Sequence, residues 1–250
     1  MGKDCTDDMI TSSANQQMKH LSQLMKTADT VVSVYVSESF LEKPEHEKCL
    51  QGYRYEVVSD AVFREISDTQ TPQGILAIVR MPKYDLPDLL QGDRTHLLIL
   101  ESVQDPGNLG TMVRTGEGAG ITGIIMNKTT VDLFNPKTIR STMGSIYRVP
   151  YLITEHLPDL LDELHKENIR LYAAHLKGDT YYDAFDFTGA CGFLIGNEGN
   201  GLSDEIAECA DCYLKIPMEG KVESLNAAVS AALLMYECKR QRGEQNENMV

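Results

Sequence analysis

Apolar positions in this chain fall into short dense runs separated by stretches of helical period. Residues 31–36 are β-branched and predict a strand, 40–50 are charged and predict a helix, and 53–58 return to strand character. A helix capped by Asp60 follows over 60–66, then a strand over 74–79. The first thirty residues are polar, with a short amphipathic helix predicted over 18–25. Pro82, Pro87 and Gly92 stand among acidic residues and mark a linker over 82–94.

Beyond the linker the alternation sharpens. Strands are predicted over 96–103, 123–127, 150–154, 171–175, 192–196 and 212–217, with helices over 109–119, 155–167, 203–209 and 224–240. Near-continuous apolar strands alternating with helices predict an α/β fold, a parallel sheet covered on both faces. In such sheets ligands sit at the carboxyl ends of the strands. No apolar run reaches the roughly 18 residues that span a bilayer, and the acidic start lacks a secretion signal, so the expectation is a cytoplasmic chain with no membrane partner.

Charge changes the picture in one place. The 250 residues carry 23 Lys+Arg against 37 Asp+Glu, net −14, which argues against indiscriminate nucleic-acid binding. Within 114–148 the sign reverses: Arg114, Lys128, Lys137, Arg140 and Arg148 face only Glu117 and Asp132. Six cysteines and six histidines show no metal-ligand grouping beyond the single pair Cys209 and Cys212, so no metal is expected and the cysteines are expected reduced.

Three motifs follow predicted strands. Asp105-Pro-Gly-Asn108 forms a turn in which Asn108 is expected to cap a helix, with Arg114 roughly 9 Å further along the axis. Gly196-Asn-Glu-Gly-Asn-Gly-Leu202 is neither a Walker loop nor a GxGxxG fingerprint, and its glycines allow a ligand close to the backbone. Ile216-Pro-Met-Glu-Gly-Lys-Val-Glu-Ser-Leu-Asn226 leads into an alanine-rich helix that Ser224 or Asn226 is expected to cap. Each motif alone is also what an ordinary capped helix or glycine turn would show.

The order D-P-x-N-x-G-x-x-x-R, G-N-E-x-x-G-L, I-P-M-x-G-x-V-x-S-L-N over residues 95–240 resembles the SpoU (TrmH-like) branch of the SPOUT RNA methyltransferases. The resemblance implies a SPOUT domain over 95–250 with a C-terminal trefoil knot, preceded by a shortened L30e-like substrate-binding domain over 1–81. It further implies S-adenosyl-L-methionine as cofactor and a homodimer whose active site borrows from both subunits. The reaction implied is methylation of a ribose 2′-hydroxyl, in ribosomal RNA by preference over transfer RNA. Matched residue by residue, Asn108, Arg114, Glu198, Ser224 and Asn226 take catalytic positions and Gly196, Ile216 and Leu225 cofactor positions. Leu194 and Met218 are expected to complete the apolar slot for the cofactor after the two strands. Glu198 is expected to orient substrate or the partner's arginine. Lys137, Arg140 and Arg148 are the expected RNA contacts.

Methyl transfer to a hydroxyl needs in-line approach at about 3–3.5 Å and loss of the hydroxyl proton. No histidine sits in any motif, and a guanidinium with pKa above about 12 is a poor base. Arg114 is therefore expected to hold the ribose and stabilise the developing alkoxide, with transient deprotonation the other reading. Two rivals are weighed: a non-catalytic RNA-binding protein that kept the fold, which would be expected to lose Arg114 or the third-motif pair, and a dinucleotide oxidoreductase, for which the fingerprint is missing.

Overall fold

The computed structural model describes residues 9–10, 31–67, 72–221 and 224–247. The chain divides into two compact units, Met1–Lys83 and Tyr84–Val250. No described helix is long and apolar enough to cross a membrane.

The first unit is built on a four-stranded sheet in the order β1-β4-β2-β3. Its strands are β1 (Met9–Ile10), β2 (Val31–Ser37), β3 (Glu56–Val58) and β4 (Ile75–Val79). Strand β4 lies antiparallel to both β1 and β2, and β3 runs parallel to β2. The helix expected over 40–50 is two, α1 (Glu38–Leu41) and α2 (Pro44–Cys49). Pro44 explains the break, because its ring disfavours helical geometry at Lys43, which is extended at φ −100° and ψ 117°. Helix α3 (Asp60–Ile66) is capped not by Asp60 but by Ser59, whose hydroxyl accepts from the Val62 amide. Asp60, displaced into the first turn, accepts from the Ser39 hydroxyl at 2.7 Å and so fastens α3 to α1. The helix expected over 18–25 lies outside the described residues.

In the second unit the expected linker is not open chain. It contains α4 (Leu86–Leu89), and Leu89 is fully buried, packed over Gly123. Seven parallel strands follow in the order β7-β6-β5-β10-β8-β11-β9. They are β5 (His96–Leu100), β6 (Gly123–Asn127), β7 (Tyr151–Thr154), β8 (Arg170–Ala174), β9 (Thr180–Tyr181), β10 (Cys191–Ile195) and β11 (Cys212–Lys215). Every residue of β5 and β10 is buried, as two-sided cover requires.

Leu97, Ile99 and Leu194 point to one face, where α7 (Leu157–Lys166) and α8 (Asp204–Glu208) cover them with Leu157, Leu160, Leu161, Leu164 and Ile206. The other face holds the ring cluster of His96, Tyr172, Phe187 and Phe193. Helix α9 (Ala227–Glu247) packs there against β10 and against α5 (Pro106–Ala119), which in turn packs on α6 (Pro136–Thr142). Helix α5 is capped by Asp105, whose carboxylate accepts from the Asn108 amide at 2.9 Å, so Asn108 is not the cap but a first-turn residue.

One arginine closes the far edge of this face. Arg242 on α9 donates to the carbonyls of Arg94 (2.8 Å), Thr95 (3.0 Å), Phe187 (3.1 Å) and Gly189 (2.6 Å). Beside it the buried thiols of Cys191 and Cys238 lie 3.8 Å apart. Truncating Arg242 leaves several carbonyls without donors, and each such loss weighs about 1–3 kcal/mol. Arg242→Ala is expected to destabilise the protein by about 2–4 kcal/mol, and Arg242→Lys by nearly as much because a lysine lacks the planar fork. Urea unfolding checks this; midpoints that match the wild type would show the clamp to be dispensable.

Candidate functional site

Strands β10, β8 and β11 are neighbours in the sheet, and their carboxyl ends open onto a cavity of about 270 Å³. Its walls include Ile195, Leu202, Ile216, Met218 and Leu225, with the 196–202 loop on one side and Ser224 and Ser230 at the start of α9. Four of the five residues expected to hold a cofactor line it: Gly196, Ile216, Met218 and Leu225. The fifth, Leu194, does not. One residue earlier in a strand means the opposite side of the sheet, and its side chain is in the core beneath α7 and α8.

The 196–202 loop closes on itself. Asn197 and Gly201 exchange backbone hydrogen bonds at 3.0 and 2.9 Å, and the Asn197 side chain accepts from the amides of Gly199 and Asn200. Gly196 permits this closure, since a Cβ there would run into the backbone of Gly201 and Leu202. Outside the loop, Asn197 Nδ2 donates to the Ser102 carbonyl at 2.9 Å. The Glu101 carboxylate accepts from the Ser203 amide and hydroxyl at 2.7 and 2.6 Å.

Glu198 joins the first and second motifs. Its carboxylate accepts from the amides of Gln104 and Asp105, each at 3.0 Å, and from Asn108 Nδ2 at 2.9 Å. Partial burial pushes its pKa up, but the bonds from Asn108, Gln104 and Asp105 together outweigh that and hold it below the ordinary value. Asn108 Oδ1 then accepts from Asn226 Nδ2 at 2.9 Å. Asn226 in turn caps α9, its Oδ1 accepting from the Ala228 amide at 2.9 Å. Ser224, the other expected cap, lines the cavity instead. Glu198, Asn108 and Asn226 thus form one continuous chain through all three motifs. Arg114 is not in it: the side chain is exposed and meets no partner among the described residues.

Ser102 sets the approach of the first motif. Its backbone is left-handed, φ 55°, an unfavourable geometry for a residue with a Cβ. The conformation is held from three strand ends. Asn127 accepts from its amide (2.9 Å), the Thr129 hydroxyl pairs with its own (2.6 Å), and its carbonyl accepts from Gln104 Nε2 (3.0 Å) as well as Asn197. The turn presents the Gln104 and Asp105 amides to Glu198.

The positive window is smaller in space than in sequence. Arg148 makes a two-pronged ion pair with Glu117, and the bonds from Glu117 push its pKa further up. Lys128 is paired with Glu155. Lys137 stands 3.8 Å from Asp105 with more than half its side chain exposed, and Arg140 is exposed on α6 with no described partner. Arg148 therefore leaves the set of free cations; Arg140 and Arg114 have no described partner, and Lys137 keeps only its long, exposed pair with Asp105.

His175, absent from every motif, is brought into the cavity wall by β8. A signal existed, since it ends an apolar strand in a sheet whose ligands sit at strand ends.

Comparison with known proteins gives a consistent result. The SpoU rRNA Methylase family model matches residues 95–236, and a model described as RNA 2′-O ribose methyltransferase substrate binding matches 21–85. The chain is 34% identical over 219 residues, 87% of its length and 85% of the relative's, to the 23S rRNA (guanosine(2553)-2′-O)-methyltransferase RlmP of Bacillus subtilis. It is 35% identical over 169 residues to the 23S rRNA (guanosine-2′-O-)-methyltransferase RlmB of Xylella fastidiosa, covering 66% of this chain and 68% of that one. The crystal structure of the SpoU methyltransferase AviRb from Streptomyces viridochromogenes with AdoMet superposes with TM-score 0.83 at 25% identity, over 94% of this chain and 91% of that one.

Because the Glu198 carboxylate is titrated below its ordinary value in the folded chain, its contribution to stability is full above pH 4.5 and is lost as pH falls through the lowered pKa. Glu198→Gln is expected to unfold at lower urea than the wild type at neutral pH, with the gap narrowing on acidification below pH 4.5. A gap that is constant down the acid limb would separate the ion from the stabilisation.

Proposed function

The chain belongs to the SpoU rRNA methylase family, and from that membership we propose that it methylates ribosomal rather than transfer RNA, as a homodimer. The activity itself, S-adenosylmethionine-dependent transfer to an RNA ribose 2′-hydroxyl, follows from the family and from its AdoMet-bound members. The preference for ribosomal RNA rests on the names of the relatives, both of which act on 23S rRNA. A ribosomal RNA substrate is what supports the cytoplasm as the protein's place of action. The observation that carries the residue roles is the chain Glu198–Asn108–Asn226, which joins three motifs beside a cavity at the strand ends.

The cavity suits the cofactor's nucleoside in its chemistry: apolar side chains such as Ile195, Leu202, Ile216 and Leu225 stand beside a polar backbone loop, with Glu198 and Lys215 as acidic and basic members of the wall. Gly196, Ile216, Met218 and Leu225 would enclose it. When bound, S-adenosylmethionine supplies the methyl group. The chain's residues do the rest. Asn108 already gives one amide hydrogen to Glu198 and accepts from Asn226, which leaves one N–H and one lone pair fixed in direction for a ligand. Glu198, held by three donors from the α5 segment, acts by positioning Asn108. Ser224 adds a hydroxyl to the cavity.

Arg114 serves the chemical step from the partner subunit. Its exposure and its lack of a described partner suit a residue completed by another copy, and α9 exposes Val229 and Tyr236 on the face that would receive it. No metal is invoked: the guanidinium holds the ribose phosphate and stabilises the alkoxide as its proton leaves. The trefoil knot implied by the motifs belongs to the same proposal. It is supported by the ties from the 196–202 loop back to Ser102, Gln104 and Asp105.

Labelled methyl transfer to ribosomal and transfer RNA, followed by mapping of 2′-O-methyl marks, tests the substrate. Arg114→Ala and Asn226→Ala should each abolish transfer, with Arg114→Ala still binding cofactor. Mixed as subunits, the two should recover about a quarter of wild-type activity, since half the dimers are mixed and each has one complete site. No recovery on mixing would place both residues in one subunit's site.

RNA is engaged by the Lys137 and Arg140 face of α6. Lys137→Ala/Arg140→Ala should flatten the salt dependence of RNA affinity by about 0.7 in log–log slope per lost contact, whereas Arg148→Ala should leave it unchanged. An unaltered slope in the double variant would move the RNA surface elsewhere.

A further inference from the structure

His175 is the one imidazole in the cavity wall, and its own surroundings fix it. It directly follows β8, the middle of the three strands whose tips form the cavity. Its amide donates to the Leu214 carbonyl at 3.1 Å, and its carbonyl accepts from the Gly178 amide at 3.0 Å. The turn over 175–178 is pressed so closely on β11 that a Cβ on Gly178 would sit 3.0 Å from the Leu214 carbonyl carbon.

The ring is held as firmly as the backbone. Nδ1 accepts from the Lys177 amide at 3.1 Å, and the ring stacks on Tyr213 with centroids 5.0 Å apart and planes 29° from parallel. A neutral imidazole that accepts at Nδ1 carries its proton on Nε2. That N–H meets no acceptor among the described residues. The other basic group in the wall, Lys215, is exposed on a flexible stem and would lose rotamer freedom on binding. His175 has little left to lose. A donor oriented in advance and unspent, on a residue that lines a cavity of mixed apolar and polar wall, is what recognition of a nucleoside uses.

We propose that His175 is a binding residue for the cofactor, its Nε2–H donating to an acceptor on the S-adenosyl nucleoside, a ring nitrogen of the adenine or a ribose oxygen. The proposal rests on the cofactor site described above and adds to it a side chain outside the three motifs. It assigns His175 to affinity, not to the methyl-transfer step.

Two substitutions separate the ring's two nitrogens. His175→Asn keeps an acceptor where Nδ1 serves the Lys177 amide but removes the donor at the Nε2 position. His175→Gln places an amide nitrogen near Nε2 and gives up the Nδ1 anchor. Calorimetry with S-adenosylmethionine and S-adenosylhomocysteine should show His175→Asn weakened about five- to tenfold, the worth of one hydrogen bond, with thermal melting unchanged. His175→Gln should stay within about twofold of wild type. Turnover at saturating cofactor and KM for RNA should not move in either. In the wild-type chain the His175 Nε2 proton resonance should shift when S-adenosylhomocysteine is added. Wild-type affinity in His175→Asn, or damage confined to His175→Gln, would reduce His175 to a turn-holding role and overturn the proposal. An unmoved Nε2 resonance would overturn it whether or not the variants fold. No cofactor binding by the wild type would instead sink the site itself.

Discussion

The second unit's active end is organised around a carboxylate that protein donors, rather than water alone, hold in place. Glu198 takes hydrogen bonds from two successive backbone amides and one side-chain amide, all from the segment that opens α5. Each of these bonds is charge-assisted, and the same bonds give Asn108 a single orientation. Asn226 then takes its direction from Asn108, and α9 takes its start from Asn226. Local chemistry at residue 198 thereby reaches the register of the last helix. Ser102 is the complementary constraint, a strained backbone kept in place by side chains from the ends of β5, β6 and β10 so that the two amides face the carboxylate.

Much of this was legible in the chain. Near-continuous apolar runs such as His96–Leu100 and Cys191–Ile195 announced buried parallel strands; the second lies one residue from its expected bounds, and the first ends three residues before the expected 103. What patterning missed were competitions between neighbouring side chains. Ser59 and Asp60 both suit a helix cap, as do Asp105 and Asn108, and in each pair the earlier residue won and freed the later one for a tertiary bond. Leu89 hid among prolines and acids that looked like a spacer. His175 stood at the end of an expected strand, but the wall it joins is built by β10 and β11, which follow it in the chain. Arg148 looked free because its partner Glu117 lies 31 residues away on another element.

Net charge and function pull against each other here. With an excess of fourteen acidic groups, the surface repels a polyanion over most directions of approach. Pairing makes the conflict sharper, since Glu117 and Glu155 consume two of the five cations in the positive window. The remainder is a small cationic area set beside the α5 start, not a broad basic face. Such a surface discriminates by geometry: an RNA gains from it only where its phosphates fit, and gains nothing by sliding over the rest.

The strand order has a consequence for how the protein comes into being. β10 must insert between β5 and β8, and Asn226 must reach back 118 residues to Asn108. Contacts this distant close late, because the loop entropy is lost before the pairing returns it. During translation, β5, α5 and β6 emerge early but lack their central neighbour, and the cavity has no wall until β11 and the first turn of α9 have left the ribosome. A nascent or prematurely terminated chain therefore has the first motif in full and no place to bind a nucleoside. Only the completed polypeptide becomes competent, in one late step that comes with the docking of its final helix.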